Sequence, residues 1–423
     1  MQPTALIAKI LQDIRASYWF VPGLLVLIAV VLSSVTQHLD HLGLSRLLPV
    51  SLRDTQVEGA RAVLSVIAQS VIGVAGVMFS LTVVAVSFAS SNFGPRLIGN
   101  FMRDRANQVS LGILIATFVY TMLILRGVQD PSAEDADLVV EVFVPHLSIS
   151  TAIVLAMISV VTMIYFIHHI PEAINIANIT ASLGSRLEAA IREGGARRED
   201  ATEPMPEGLP VHHVEAGASG YMRTLNAARL QRLAEDQGWW VDVLKMPGDF
   251  VDSAQYVLRL HGGTLPDADL TEQVRSCYAL GTERTESQNM MFIVEQLCEV
   301  VARALSPGVN DPFTAINCMN WLHVGLRLAL RTPPGWAGSA HSRLRMPVVT
   351  FTDLLGVSHR LTRPYVAADV TAARHVLGLL DELLRRTPEG PRRDAVQAER
   401  EALETMALDL HPDPVARAMI ADR

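Results

Sequence analysis

Residues 62–95 read AVLSVIAQSVIGVAGVMFSLTVVAVSFASSNFGP, without one Asp, Glu, Lys or Arg. A helix over this run is about 50 Å long at ~1.5 Å per residue. That exceeds the ~30 Å hydrocarbon core of a bilayer, so a membrane helix here tilts or projects beyond it. Its small and polar residues Ser65, Gln69, Gly73, Gly76, Ser80, Ser87 and Ser91 follow one another at steps of four, four, three, four, seven and four. At ~100° per residue they lie within about 40° of one line, with Val, Met, Leu and Phe on the opposite side. Two physical readings compete. Small residues let helix backbones approach closely, which is the general use of such a stripe in lipid. Alternatively, copies of the helix around an axis turn the stripe into a wetted pore lining, which requires an oligomer.

Three further runs, Ala16–Gln37, Ala106–Leu125 and Val142–Ile170, also lack charged residues. Each reaches the ~20 residues a transmembrane helix needs. The predicted spans are 18–36, 62–92, 107–126 and 144–168, making residues 1–170 a four-helix membrane domain. Half of the 423 residues are hydrophobic and the mean hydropathy is +0.28, as expected for a chain embedded in a bilayer. Lys9 and Arg15 precede the first run and no small-x-small cleavage site follows it, so the first helix is expected to be an uncleaved anchor. Leu6, Ile7, Ile10, Leu11 and Ile14 recur at helical spacing ahead of it, as in an amphipathic surface helix. No acidic or basic residue sits mid-membrane, which disfavours proton-coupled transport.

Loop charges predict the orientation. Arg96, Arg103 and Arg105 follow the second span. Asp130, Glu134, Asp135, Asp137 and Glu141 follow the third, and Arg186, Arg192, Arg197 and Arg198 follow the fourth. Both termini are then expected in the cytoplasm of a bacterium, with the chain in its inner membrane. Arg46, Arg53 and Arg61 in the first loop run against this pattern. The net charge of −8 excludes a nucleic-acid partner held by phosphate contacts. The expected partners are the lipid bilayer, further copies of the chain and an ion, with Arg96, Arg103 and Arg105 favouring anions at a cytoplasmic entrance.

After the membrane domain, 171–209 reads as a linker, rich in Gly, Glu and Arg over Gly194–Gly208, and 210–423 as a cytoplasmic α+β domain. Strand-like runs are Val211–Ala216, Tyr221–Leu225, Trp239–Lys245, Tyr256–Leu260 and Val274–Leu280, with a helix over Ala227–Glu235. Lys245–Val251 reads as strand, turn, strand, similar to the Gly-Asp-x-Val turn of biotinyl and lipoyl barrels. Lys245 sits on the wrong hairpin for the modified lysine of those barrels, and Asp249 is expected to serve the turn. Helices are predicted at Pro312 to about Leu330, Val370–Arg386 and Arg393–Leu410. Thr285 and Gln288 have capping-box spacing ahead of a helix with Ile293, Leu297, Val300 and Ala304 on one face. That helix ends at Leu305-Ser306. Pro307-Gly308 then turns the chain, Asn310 follows, and Asp311 is placed as N-cap with Pro312 at the first helical position.

Little in the chain suggests chemistry. Lysine occurs only at Lys9 and Lys245, and no Gly-rich loop ends in Gly-Lys-Ser/Thr, so a P-loop is excluded. Cys277, Cys298 and Cys318 show no metal spacing and read as reduced, buried thiols. The groups His38/Asp40/His41, His168/His169/Glu172 and His212/His213/Glu215 lack the converging ligands of a zinc site and read as surface or interfacial histidines. Gly217-Ala218-Ser219-Gly220 falls one residue short of a nucleophile elbow. No cofactor, metal or catalytic residue is expected.

Three stretches carry a resemblance: SFASSNFGPRLIGNFMRDRANQVSLGILIATFVYTMLILR (87–126), ERTESQN (283–289) and RALSPGVNDPFTA (303–315). With the four-span layout they resemble the bacterial predicted-membrane-protein family catalogued as domain of unknown function family 2254, over nearly the whole chain. The family pattern carries Asp after the Gln of the second motif, where this chain has Asn289. The resemblance implies a topology and no activity. The expected function is an oligomeric, channel-like permeation protein with a cytoplasmic assembly and gating domain. The alternative is a non-conducting membrane-anchored scaffold or sensor whose soluble domain binds a partner or ligand.

Overall fold

The structure, a computed structural model, describes residues 17–43, 56–94, 104–128, 144–196, 205–331 and 343–421. Lys9, Arg15, Arg96, Arg103, Arg197, Arg198, the first-loop residues Arg46 and Arg53, the acidic third-loop residues and the expected amphipathic segment lie outside these. The chain forms two compact units that meet in sequence at Asn175 and Ile176.

The N-terminal unit has four helices, α1 (Phe20–His41), α2 (Val57–Phe93), α3 (Arg105–Gly127) and α4 (His146–Ala173). All four are long and apolar enough to cross a membrane. The 37 residues of α2 extend about 55 Å. Packing among the helices rests on close approach and on polar pairs. A Cβ at Gly112 of α3 would lie 3.0 Å from Pro22 Cα of α1, so glycine is what permits that crossing. Tyr120 of α3 hydrogen-bonds Thr36 Oγ1 at 2.9 Å and donates to the Ser148 carbonyl at 3.1 Å, joining three helices. Ser159 of α4 donates to Thr117 Oγ1 of α3 at 3.1 Å. The start of α4 has no cap from its own preceding residue, Pro145. Buried Asp40, near the end of α1, supplies it, accepting from the Leu147 and Ser148 N–H groups at 2.9 Å each and from Ser148 Oγ at 2.7 Å. Orphan N–H donors and the positive end of the helix dipole both favour a carboxylate there. Asp40 is thus a helix cap, while His38 and His41 are exposed.

One face of α2 packs into this unit. Ala60 and Leu64 join Tyr120, Ile124 and Ile149, and Val71, Ala75 and Met78 join Leu111, Leu114 and Phe166. Thr82, on the same face, donates to the Met78 carbonyl at 2.9 Å and to Asn107 Oδ1 at 3.3 Å.

The C-terminal unit begins with a helix where a linker over 171–209 was predicted: α5 spans Ile176–Ala196. A four-stranded sheet has the order β1-β5-β3-β7 and a three-stranded sheet the order β4-β2-β6. The strands are β1 (Val211–Glu215), β2 (Gly220–Leu225), β3 (Trp240–Val243), β4 (Phe250–Val251), β5 (Tyr256–His261), β6 (Tyr278–Gly281) and β7 (Leu344–Arg345), with α6 (Ala227–Gln237) after β2. The strand predicted over Val274–Leu280 is shorter. Asp267 caps α7 (Ala268–Arg275) through the Leu270 N–H at 2.7 Å, which draws Val274 into a helix and delays β6 to Tyr278. The turn at 245–251 is held by Asp249, which accepts the Met246 N–H at 2.9 Å. The flanking strands β3 and β4 enter different sheets, so the segment is a crossover rather than a hairpin. Trp239, Met222, Val241 and Leu258 belong to a core built mainly from the strands and α6, and Trp239 Nε1 donates to the Thr264 carbonyl at 2.8 Å.

The helices α8 (Met290–Ala304), α9 (Pro312–Arg331), α10 (Phe351–Arg360), α11 (Arg363–Ala367), α12 (Val370–Arg386), α13 (Pro391–Leu410) and α14 (Pro414–Ala421) complete the unit. Parallel to α9 runs α5. Asn317 donates to Thr180 Oγ1 at 2.9 Å, Gly184 sits against Trp321, and Gly325 sits against Leu187 and Ile191. A Cβ at Gly184 would overlap the Trp321 indole. Overpacking of this kind costs about 1–3 kcal/mol. Gly184→Ala is therefore expected to lower the thermal unfolding midpoint of the purified protein, and an unchanged midpoint would contradict the α5–α9 packing.

Candidate functional site

The stripe on α2 faces away from its own chain. Gln69, Gly73, Gly76, Ser80, Ser87 and Ser91 are exposed and Ser65 is half-buried. A Cβ at Gly73 or Gly76 would meet nothing within 4 Å. The buried face of the helix is Ala60, Leu64, Ala68, Val71, Ala75, Met78, Ala85 and Ala89, centred about 160° from the stripe at ~100° per residue. Two expectations need correction. The stripe is not a packing seam within the chain, because alanines do that work on the other side. The residues opposite it are mostly small, while Ile72 and Phe79 flank it on one edge and Val66, Val77 and Val84 on the other, all exposed. Gln69 has no hydrogen-bonding partner among the described residues, although an amide in hydrocarbon needs one.

Of the three predicted entrance arginines, Arg105 is described. It is exposed as the first residue of α3, directly after the N-cap Asp104. Asp104 accepts the Ala106 N–H at 3.0 Å and lies 2.6 Å from His169 Nε2 of α4. His169 also stacks on Tyr165 at 5.4 Å, while exposed His168 pairs with Glu172 at 3.3 Å. His213 meets the Tyr256 ring at 4.5 Å. No group of three or more metal-ligating residues converges among the described residues.

The ERTESQN motif is a fastener. Arg284 pairs with Glu295 and lies 5.5 Å from the Phe292 ring centroid. Glu286 pairs with Arg186 of α5 at 2.5 Å. Gln288 holds the end of β2, accepting the Leu225 N–H at 2.9 Å and donating to its carbonyl at 3.3 Å. The expected capping box of Thr285 and Gln288 does not form. Gln288 has φ +58°, a left-handed conformation no helix interior adopts. The helix α8 therefore starts later, capped by Asn289 through the Phe292 N–H at 3.2 Å. Asn and Asp cap comparably, so the Asn in place of the family's Asp keeps this task.

RALSPGVNDPFTA is a tightly bonded corner. The Val309 and Asn310 N–H groups donate to the Ser306 carbonyl at 3.0 Å each, and Asp311 N–H donates to the Ala304 carbonyl at 2.7 Å. Asn310 has φ +50°. Asp311 caps α9, accepting from Thr314 N–H at 3.1 Å and Thr314 Oγ1 at 2.6 Å, with Pro312 as the first helical residue. Pro307 and Gly308 form the exposed tip. Asp311→Ala should cost about 1 kcal/mol, the value of an N-cap, read as a lower denaturation midpoint with the fold retained.

A buried cluster in the helical part gave no spacing signal, because its members come from five helices. His323 of α9 lies 3.4 Å from Glu382 of α12. Glu399 of α13 is buried and accepts from Arg360 Nε at 2.9 Å, with Arg363 3.8 Å from its other oxygen. His359 beside them is buried, and its Nδ1 has no hydrogen-bonding partner among the described residues. The cleft between His359, Thr362, Arg363 and Glu399 has no room for a water molecule. Cys277, Cys298 and Cys318 are free and buried, and burial pushes the Cys298 thiol up to about 12, which makes it unreactive. Burial also pushes His359 down to about 4, against ~6.5 unfolded. Below ~6.5 the unfolded chain binds the extra proton, so this histidine's contribution is complete above that pH and is lost as pH falls towards 4, about 3 kcal/mol in all. His359→Gln should flatten the dependence of the unfolding midpoint on pH between 6.5 and 4.

The profile of a family described as predicted membrane protein, domain of unknown function 2254, matches residues 15–382. Uncharacterized proteins of Mycobacterium bovis and of Mycobacterium tuberculosis are each 29% identical to the chain over 374 residues, covering 85% of this chain and 70% of the relative. No solved structure matches it. The profile takes in all four apolar helices, both sheets and the two motifs: the chain belongs to the predicted-membrane-protein family of domain of unknown function 2254.

Proposed function

We propose that this protein assembles with copies of itself in a bacterial inner membrane, with the α2 stripes turned to a shared axis that forms a channel-like path. The observation that carries this reading is the outward direction of the stripe, with Gln69 exposed within it. Burying an amide without a hydrogen bond costs about 1–3 kcal/mol by protein data and ~4–8 kcal/mol by transfer to alkane. Lipid is therefore a poor neighbour for Gln69, whereas water or the same residue of another copy satisfies it. Gly73 and Gly76, bare of neighbours, suit close approach between copies.

The loop charges support a cytoplasmic C-terminal unit, which then serves assembly and gating. Arg105, with Arg96 and Arg103 in the same loop, favours anions at the inner mouth. No catalytic role or cofactor enters this reading. Purified protein in liposomes is expected to pass anions, and Gln69→Leu to reduce the flux. Ser80→Cys and Ser87→Cys are expected to react with aqueous thiol reagents and to cross-link between copies, the three native thiols being buried. Absent flux together with unreactive cysteines would remove the channel. Cross-linking without flux would favour the alternative, a non-conducting scaffold whose stripe is a seam between copies.

A further inference from the structure

We infer that the corner between α8 and α9 rests on the lipid surface, with Val309 and Phe313 as the side chains that enter the headgroup–acyl boundary. Phe313 is 75% exposed and Val309 48%, on a backbone held by three hydrogen bonds to the Ser306 and Ala304 carbonyls and by the Asp311 cap. A large aromatic on a rigid, exposed turn is placed there by the fold and is not the product of a loose loop.

The position of the corner within its own unit indicates what covers it. The paired helices α9 and α5 match residue for residue, Asn317 with Thr180 and Trp321 with Gly184. One turn back along each helix, Phe313 comes level with Ile176. Ile176 is joined to Ala173, the last residue of the apolar helix α4, by three Cα steps, at most about 11 Å of chain. The corner therefore lies beside the start of α5, the point at which the chain emerges from α4.

The composition there agrees. Residues 173–185 and 304–310 contain no Asp, Glu, Lys or Arg, and Asp311 is engaged as a cap. A surface turned to bulk water carries interspersed charges. A patch of Val and Phe ringed by Pro, Gly, Asn and Ser suits the interface, where apolar side chains sit beside polar headgroups. The apolar edge and the proximity to α4 favour lipid over a soluble partner. This inference uses the membrane character of the chain and is independent of whether α2 lines a pore.

The test uses the full chain in phosphatidylcholine–phosphatidylglycerol liposomes, spin-labelled at Phe313→Cys or Val309→Cys. Both positions are exposed, so the fold is expected to tolerate the label. Leu265→Cys, at a position 68% exposed in the loop between β5 and α7, is the aqueous reference. Labels at 313 and 309 are expected to collide more with oxygen than with a nickel chelate, and several-fold less with nickel than the label at 265. Nickel access equal to that at 265 would overturn the assignment, placing the corner in water. Low access to both reagents would also overturn it, placing protein rather than lipid over the corner.

Discussion

Hydrocarbon offers a polar atom no hydrogen bond, and the N-terminal unit is organised by that constraint. Several of its internal polar groups are paired across helices. Asp40 closes the start of α4, Tyr120 ties Thr36 to Ser148, Ser159 meets Thr117, and Thr82 meets Asn107. Without a hydrophobic force between helices in lipid, such pairs and close backbone contacts hold a bundle together. Asp40 also shows how a carboxylate is tolerated at the end of a span: three donors and a helix dipole surround it. Against this pattern stands the exposed amide of Gln69, the second residue of the outward stripe of α2. The pairs just named lie inside the unit, whereas exposed Gln69 lies on the face that other copies or water would meet.

In the C-terminal unit the binding theme is connection between layers. ERTESQN reaches α5 through Glu286, β2 through Gln288 and α8 through Asn289 and Arg284. A motif read as the start of one helix is a knot among three elements. Its charged members Arg284 and Glu286 are paired, so these residue types answer to structure before any chemistry. The helix α5 makes a similar link along the chain, because it begins three residues after α4 ends and packs against α9 through Gly184 and Gly325. The corner at Val309 and Phe313 follows from the same alignment, since α9 starts level with α5.

Several features were legible without coordinates because they depend on neighbours in sequence. The four spans follow from hydropathy, and β1, β2, β3 and β5 from short β-branched or aromatic runs. The Asp311 cap follows from Asp-Pro chemistry. Readings failed where a contact distant in sequence decided the outcome. Thr285 has as good a capping signature as Asn289, but the pairing of Gln288 with Leu225, 63 residues away, puts Gln288 in a left-handed conformation and moves the helix start. The stretch from 176 to 196 has the Gly, Glu and Arg content of a linker at its end, yet its Ile179, Leu183, Leu187 and Ile191 are buried and make it a helix. Asp40 looked like a member of a histidine cluster, because nothing nearby in sequence marks Ser148 as its partner. The buried group of His323, His359 and Glu399 was silent for the same reason.

The sequence by itself determined that the chain has four membrane-length helices followed by an α+β unit, and that α2 carries a stripe of Ser, Gly and Gln. Those properties are set by composition and by the helical period, which are local. The direction of the stripe is not local. Periodicity fixes which residues share a face, but it contains nothing about which face meets a neighbour. Only the packing of Ala60, Leu64, Val71 and Met78 against α3 and α4 turned the stripe outward, because a helix has one rotation about its axis and the larger buried area claims it.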